Sequence, residues 1–163
     1  MIPDAPHQSG LCVVPFSAWH LVSLDLRPLD RKALGPFQLI ELAKRYEAEG
    51  FSWSAIRHGR PICCFGVLPL WPGVATMWLA TTDGVLPVRK SLHRYALQFV
   101  AEMENRMGLW RIEATVLPEH TASAKWLAAL GFAYEGPRQF FGPDGSTFNM
   151  VARINEANLP KRE

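Results

Sequence analysis

Residues 111–136 read RIEATVLPEHTASAKWLAALGFAYEG, and three physical signals follow one another within them. In Arg111–Val116 the residues alternate, with Ile112, Ala114 and Val116 on one side of an extended chain and Arg111, Glu113 and Thr115 on the other. That is the period of a strand. Pro118 stops it, because proline has no N–H for a ladder. From about Thr121 to Leu130 the stretch suits a helix, and Gly131-Phe132 reads as a Schellman-type end, a glycine followed by an apolar residue. Strand, loop, helix and a sharp stop are therefore expected in that order.

Working outward, the C-terminal side reads as a hairpin, Arg138–Phe141 and Ser146–Arg153, around Gly142-Pro143-Asp144-Gly145. On the N-terminal side a long helix is expected from about Pro87 to Met107. Leu92, Tyr95, Ala96, Phe99, Val100 and Met103 keep helical period there, and Gly108 ends it. Before it lie three strand-like runs, Phe51–Arg57, Ile62–Leu70 and Val74–Thr81, joined by His58-Gly59-Arg60 and Trp71-Pro72-Gly73. Turns this short make an antiparallel meander. At the start, Leu11–Phe16 reads as a strand and Ser17–Leu26 as a helix capped by Ser17, ended by Arg27-Pro28-Leu29-Asp30. Gly35-Pro36 opens a second helix whose stripe is Leu39, Leu42, Ala43 and Tyr46, and Gly50 closes it. This order of elements is α+β. Residues 1–163 read as one domain, with 1–10 and 155–163 as flexible ends.

Composition narrows the class. The 163 residues carry 17 Lys plus Arg against 15 Asp plus Glu, a formal charge of +2, with 48% apolar and 20% charged residues. Those values suit a globular chain and leave no basic excess for a protein built to neutralise phosphates. Three cysteines, two of them adjacent at Cys63 and Cys64, do not make a disulfide framework, so a reducing compartment is expected. The opening MIPDAPHQSG has no basic segment followed by an apolar run, so no secretory signal is read there. No charge occurs between Arg60 and Asp83, but PICCFGVLPLWPGVATMWLATT contains Pro69 and Pro72-Gly73. Two buried strands and a turn fit it better than a membrane-spanning helix.

The segment 111–136, with Leu130-Gly131-Phe132 and then Glu135-Gly136, resembles the strand–loop–helix of the GNAT superfamily of N-acetyltransferases. A broader resemblance, to GNAT-like proteins encoded by tailed phages, is carried by Leu26-Arg27 with Asp30, Phe65-Gly66-Val67 with Pro69, and Trp78-Leu79-Ala80-Thr81. Together the two cover about residues 20–153. They imply a mixed, mostly antiparallel sheet of six to seven strands with about four helices packed on both faces. They also imply acetyl-CoA as co-substrate, an amine acceptor that is a protein or a small molecule, no metal, and direct attack in a ternary complex. A homodimer is compatible with this, and a bacterial or phage-infected cytoplasm follows from the same resemblance. In such a fold the thioester sits between two strands that splay apart, here Val74–Thr81 and Arg111–Val116. The pyrophosphate lies at the start of the next helix, where backbone N–H groups and the helix dipole favour an anion. Leu79, Ala80, Thr81, Val88, Arg89, Lys90 and Ser91 are the implied cofactor contacts.

Three positions depart from the family's pattern. The anion turn reads DGVLPVRKSLHR, with the single glycine Gly84 and with Pro87 removing one donor. His120 stands where an asparagine usually begins the last helix. Leu127 stands where a tyrosine often protonates the departing thiolate; Tyr95, Tyr134 or solvent would have to replace it. Three residues are then candidates for catalysis. Glu113, mid-strand between apolar neighbours, can accept the amine proton or can pair with Arg111. His120 lies in the loop that would face the thioester, and imidazole suits proton transfer near neutrality. Asp30, with Arg27, falls where the family builds its acceptor pocket. The five histidines and three cysteines show no metal-ligand spacing. Arg89, Lys90, His93 and Arg94 would serve a nucleic-acid reading, against which stands the near-neutral charge. The non-catalytic alternative is a GNAT scaffold reused as a binding or virion-associated protein, its cleft filled by side chains such as Trp78.

Overall fold

The computed structural model describes residues 10–35 and 39–160. In chain order they form β1 (Leu11–Pro15), α1 (Ala18–Val22), α2 (Pro28–Leu34), α3 (Leu39–Glu49), β2 (Ser52–Arg57), β3 (Arg60–Trp71) and β4 (Val74–Thr81). A 3-10 turn over Asp83–Val88 leads into α4 (Arg89–Arg106), followed by β5 (Arg111–Val116), α5 (Thr121–Ala129), β6 (Ala133–Arg138) and β7 (Phe148–Ile154). The strands make one seven-stranded sheet in the order β1-β2-β3-β4-β5-β7-β6. Every neighbouring pair is antiparallel except β4 and β5, which run parallel.

The alternation read from 111–116 is the reason β5 can sit in the middle. Ile112, Ala114 and Val116 are buried in the larger core with Tyr95, Phe99, Val100 and Met103 of α4 and with Leu127 and Leu130 of α5. Burying a side chain such as Phe99 or Met103 contributes about 1.5–3 kcal/mol, so α4 is held by its stripe. The opposite face carries α1 and α3, whose Leu21, Ala43 and Tyr46 pack on Cys64 and Ala80. The α5 stop is the Schellman motif expected: Phe132 N–H donates to Leu127 O (3.1 Å), Gly131 has φ +88°, and Phe132 is buried.

Several boundaries differ from the sequence reading, each for a local reason. The first helix ends at Val22. Pro28 does not terminate it but opens α2, since a proline at the first helical position loses no hydrogen bond. Five helices therefore replace the expected four among the described residues. Pro36 lies outside the described residues, and α3 begins at Leu39. Pro87 falls in the 3-10 turn, so the long helix starts at Arg89. The last hairpin is longer than read, because Ala133–Arg138, rather than 138–141, pairs with β7 across a bulge between Tyr134 and Gly136. Asn155–Asn158 is folded, not frayed: the Asn158 side-chain amide donates to Glu104 O (2.9 Å) and Leu109 O (3.0 Å). The uncharged stretch 61–82 is β3 and β4, and among the described residues no helix is long and apolar enough to cross a membrane.

Gly73 sets the β3–β4 turn. Its φ is +80°, and a Cβ there would lie 1.9 Å from the Trp110 ring, while its carbonyl accepts from Trp110 N–H (2.9 Å). Gly73→Ala combines a left-handed backbone with a steric clash, and urea unfolding should show a loss of about 2 kcal/mol or more. A loss below about 0.5 kcal/mol would mean the turn is not under this constraint.

Candidate functional site

β4 and β5 pair over only three residues, Val74 to Thr76 with Arg111 to Glu113, and then separate. Beyond that point a cavity of about 280 Å³ opens between the strand ends, α4 and the start of α5. Phe65, Met77, Leu79, Leu92, Phe99 and Trp126 give it an apolar wall. Tyr95 and Trp78 also line it, and their Oη and Nε1 atoms are buried without a hydrogen-bond partner. Leaving such a group unpaired costs about 1–3 kcal/mol. Burial also pushes the Tyr95 phenol up to about 12. Trp78 does not fill the gap, because its ring is stacked on Tyr46 (4.2 Å) and edge-on to Phe16 in the core of the α1–α3 face.

On the α4–α5 side the mouth is cationic. Arg89, Lys90, His93 and Arg94 of α4 and Trp126 of α5 line an open depression that shares Arg89 and Trp126 with the lining of the cavity. The first turn of α4 holds no acidic residue. Basic side chains oppose the helix dipole at an N-terminus, so an anion there would relieve both.

Where α2 meets the start of α5 lies a polar cluster. Asp30, in the first turn of α2, accepts from Thr81 Oγ1 (2.9 Å) and pairs with Arg27 Nε (3.3 Å). His120 Nε2 lies 4.0 Å from the Asp30 carboxylate, 3.5 Å from Arg27 Nη2 and 3.1 Å from Ser123 Oγ. Its Nδ1 accepts from Ser123 N–H (3.4 Å), so the imidazole caps α5 in the place of the expected asparagine. Arg27, Thr81 and Ser123 all line the cavity. Two ties hold the cluster together: Arg27 N–H donates to Thr81 O (3.1 Å), and Lys32 of α2 pairs with Glu119 of the β5–α5 loop. Burial raises the Asp30 carboxyl above its ordinary value, outweighing the Thr81 hydrogen bond and the Arg27 and His120 charges that lower it.

The sequence candidates fare unequally. Asp30 and His120, far apart in the chain, are brought together. Glu113 is not with them: its carboxylate pairs with Arg111 (3.2 Å) and Arg138 (3.6 Å), and Arg111 also grips Glu135 (2.6 Å). Leu79, Thr81 and Arg89 line the cavity and Lys90 its mouth. Ala80 and Val88 are instead buried in packing clusters, because their strand and turn positions point them into core, and Ser91 lines neither space. Tyr134 is exposed on β6, whereas Tyr95 is on the cavity wall. The wall aromatics carry a core-like helical period, and nothing in that period marks a cavity. All three thiols are free, and burial pushes Cys63 up to about 12 and Cys64 up to about 11, far from a reactive thiolate. Among the described residues, no three His, Cys, Asp or Glu side chains gather as a metal site would require.

No protein-family model matches the sequence, and no curated protein does. Solved structures do match the fold. Ard1 from Thermoplasma volcanium superposes with a TM-score of 0.73 at 11% identity, over 89% of this chain and 97% of that one. A GNAT family acetyltransferase from Elizabethkingia anophelis with acetyl-CoA bound gives 0.65 at 14% identity, over 91% and 100%. The ribosomal-protein-S5-alanine acetyltransferase from Vibrio fischeri gives 0.63 at 17%, over 93% and 96%. At such identities the likeness establishes architecture: the chain has the GNAT acetyltransferase fold.

The raised Asp30 carboxyl has a measurable sign. Its folded value exceeds the unfolded one, so the folded state favours the protonated form, and stability is lost as pH rises from about 3.8 through the raised value. Asp30→Asn cannot ionise. In urea unfolding its stability relative to the wild type should climb across that window and then level off toward neutrality. A constant difference from pH 3.5 to 7 would contradict the assignment.

Proposed function

We propose that this chain is an acyltransferase domain that moves the acetyl group of acetyl-CoA to an amine by direct attack in a ternary complex, without a covalent enzyme intermediate. The observation that carries it is the gap between β4 and β5, with a cationic mouth at the start of α4 and the Asp30–His120 cluster where α2 meets the start of α5. The acetyl-CoA bound in the Elizabethkingia protein of the same fold supports the choice of co-substrate. The Vibrio protein, by its name, acts on an alanine of a ribosomal protein, which keeps a protein amine beside a small-molecule amine as acceptor. The phage-like sequence resemblance supports a bacterial or phage-infected cytoplasm as the setting.

Bound acetyl-CoA supplies an acyl group activated as a thioester. Arg89 and Lys90 hold the anionic end at the mouth, and Leu79, Phe65 and Phe99 keep water from the arm. The attacking amine must lose a proton. Ser123, on the cavity wall and 3.1 Å from His120 Nε2, passes it to the imidazole in the tautomer that carries its hydrogen on Nδ1 and leaves Nε2 free to accept, at the cost of the Ser123 N–H cap bond. Asp30, 4.0 Å away, stabilises the cation that forms. The C–N bond forms as the C–S bond breaks, and a thiolate of ordinary acidity leaves without a dedicated acid, which fits Leu127 at the usual tyrosine position. Glu113, fixed between two arginines, orders the β5–β6 surface instead of taking the proton.

His120→Asn retains a good helix cap and removes the base, so kcat for amine acetylation should fall by about 10²-fold or more, while Glu113→Gln stays within about threefold. The reverse ranking would transfer the role to Glu113. Removing charge-assisted contacts at the mouth with Arg89→Ala/Lys90→Ala should weaken CoA binding in calorimetry at least about tenfold. Unchanged affinity would place the pyrophosphate elsewhere.

A further inference from the structure

We infer that Arg27 is a catalytic residue, its guanidinium being the charged donor that holds the thioester carbonyl oxygen as attack turns it into an oxyanion. This rests on the acetyl-transfer reading and adds to it the group that receives the negative charge. Arg27 lines the cavity from the start of α2. Its main chain is fixed at both ends, since its N–H donates to Thr81 O (3.1 Å) and its carbonyl accepts from Arg31 N–H (2.9 Å). Its side chain is 24% exposed, so the guanidinium is neither sealed in core nor free in water. Nε is taken by Asp30 (3.3 Å), and Nη2 only reaches His120 Nε2 at 3.5 Å, the outer limit of a hydrogen bond. Among the described residues Nη1 has no partner, so the guanidinium keeps donors to offer.

The charges that the reaction creates select this role. Attack of an amine on the thioester makes one anion, the carbonyl oxygen, and one cation once the proton has reached His120. The cluster holds one charge of each sign in advance, Asp30 at 4.0 Å from the imidazole and Arg27 on the cavity wall. Protonation of His120 leaves the imidazolium and Arg27 Nη2 facing each other 3.5 Å apart, with a single carboxylate against both. An oxyanion held by the free guanidinium donors relieves that repulsion at the moment it arises. Ser123 Oγ, 3.1 Å from Nε2 and on the same cavity lining, marks where the amine gives up its proton, so base and electrophilic donor converge on one place. Phe65, Met77 and Leu79 surround it with low-polarity wall, where a fixed cation acts more strongly than in water. The nitrogen lone pair forms the C–N bond and the carbonyl π pair moves to oxygen against Arg27. That pair returns as the C–S bond breaks and the thiolate leaves.

The test follows the carbonyl itself and needs no acceptor. Infrared difference spectra are recorded for acetyl-CoA with a heavy carbon isotope at the acetyl carbonyl, bound to the full-length wild type, Arg27→Gln and Arg27→Lys. Calorimetric titrations with acetyl-CoA and CoA and thermal unfolding accompany them. In the wild type the carbonyl band should move to lower frequency than in the free ligand, because a guanidinium at the oxygen polarises the bond. Arg27→Gln should lose most of that shift while both affinities stay within about threefold. Arg27→Lys keeps a cation beside Asp30 but lacks the planar fork, so it should retain only part of the shift. The same shift in Arg27→Gln as in the wild type would overturn the role. Should Arg27→Gln not fold, a full shift in Arg27→Lys would overturn it instead. A loss of more than about tenfold shared by acetyl-CoA and CoA would also do so, by making Arg27 a holder of the carrier. Binding of acetyl-CoA to the wild type without any shift removes Arg27 alone, whereas failure to bind it at millimolar concentration removes the acetyl-transfer reading itself.

Discussion

The candidate site of this molecule depends on one geometric constraint, the separation of β4 from β5 after three paired residues. These are the only parallel neighbours in a sheet that is otherwise antiparallel among the described residues. A parallel connection needs a crossover, here the 3-10 turn and α4, and that crossover places the α4 start beside the ends of the two strands. Were β4 and β5 paired to their ends, the sheet would be closed and α4 would rest on a continuous floor. Because they part, the floor has a slot, and a residue on either face can reach it. Arg27 arrives from the α2 side and Arg89 from the α4 side of the same opening.

Two buried carboxylates show how differently fold and site treat charge. Glu104 accepts from Arg153 Nε at 2.7 Å, with Asn155 and Arg153 Nη2 on its second oxygen, and so locks α4 to the end of β7. It is a satisfied structural pair. Asp30 is also buried, yet its partners do not offset the loss of water, and its carboxyl is held above the ordinary range. A fold selected only for stability would replace it. Its place beside His120 and next to the cavity is where a strained carboxylate has a chemical use.

How much of this was legible in the sequence follows from the range of each signal. Periodicity is local, so β5, α5 and its Gly131 stop were readable, as were the meander and the stripe of α4. Proline is ambiguous locally: Pro28 reads as a stop after one helix and is in fact the first residue of the next, and only packing decides. β6 is not legible as a strand, because its residues are mostly exposed on an edge and include Gly136 and Pro137, which read as loop. The site is harder still. Asp30 and His120 could each be suspected, but their meeting depends on the Arg27–Thr81 backbone bond and the Lys32–Glu119 pair, contacts across long stretches of chain. Glu113 drew attention because a carboxylate among apolar neighbours is unusual. Its arginine partners lie on its own strand and at the end of β6, a strand that local periodicity does not reveal.

The altered anion turn illustrates a substitution of means. Glycines at such a turn let backbone N–H groups close around a phosphate. Here the segment is a 3-10 turn in which Thr82 Oγ1 already accepts from Gly84 N–H, Thr82 O from Val85 N–H, and Pro87 has no donor. Asp83 at its beginning would also repel an anion. One turn later Arg89, Lys90, His93 and Arg94 gather on a helix start free of acids, and the proposed function assigns the anion to these side chains. Guanidinium and ammonium groups on flexible stems tolerate more geometries than a fixed cradle of amides.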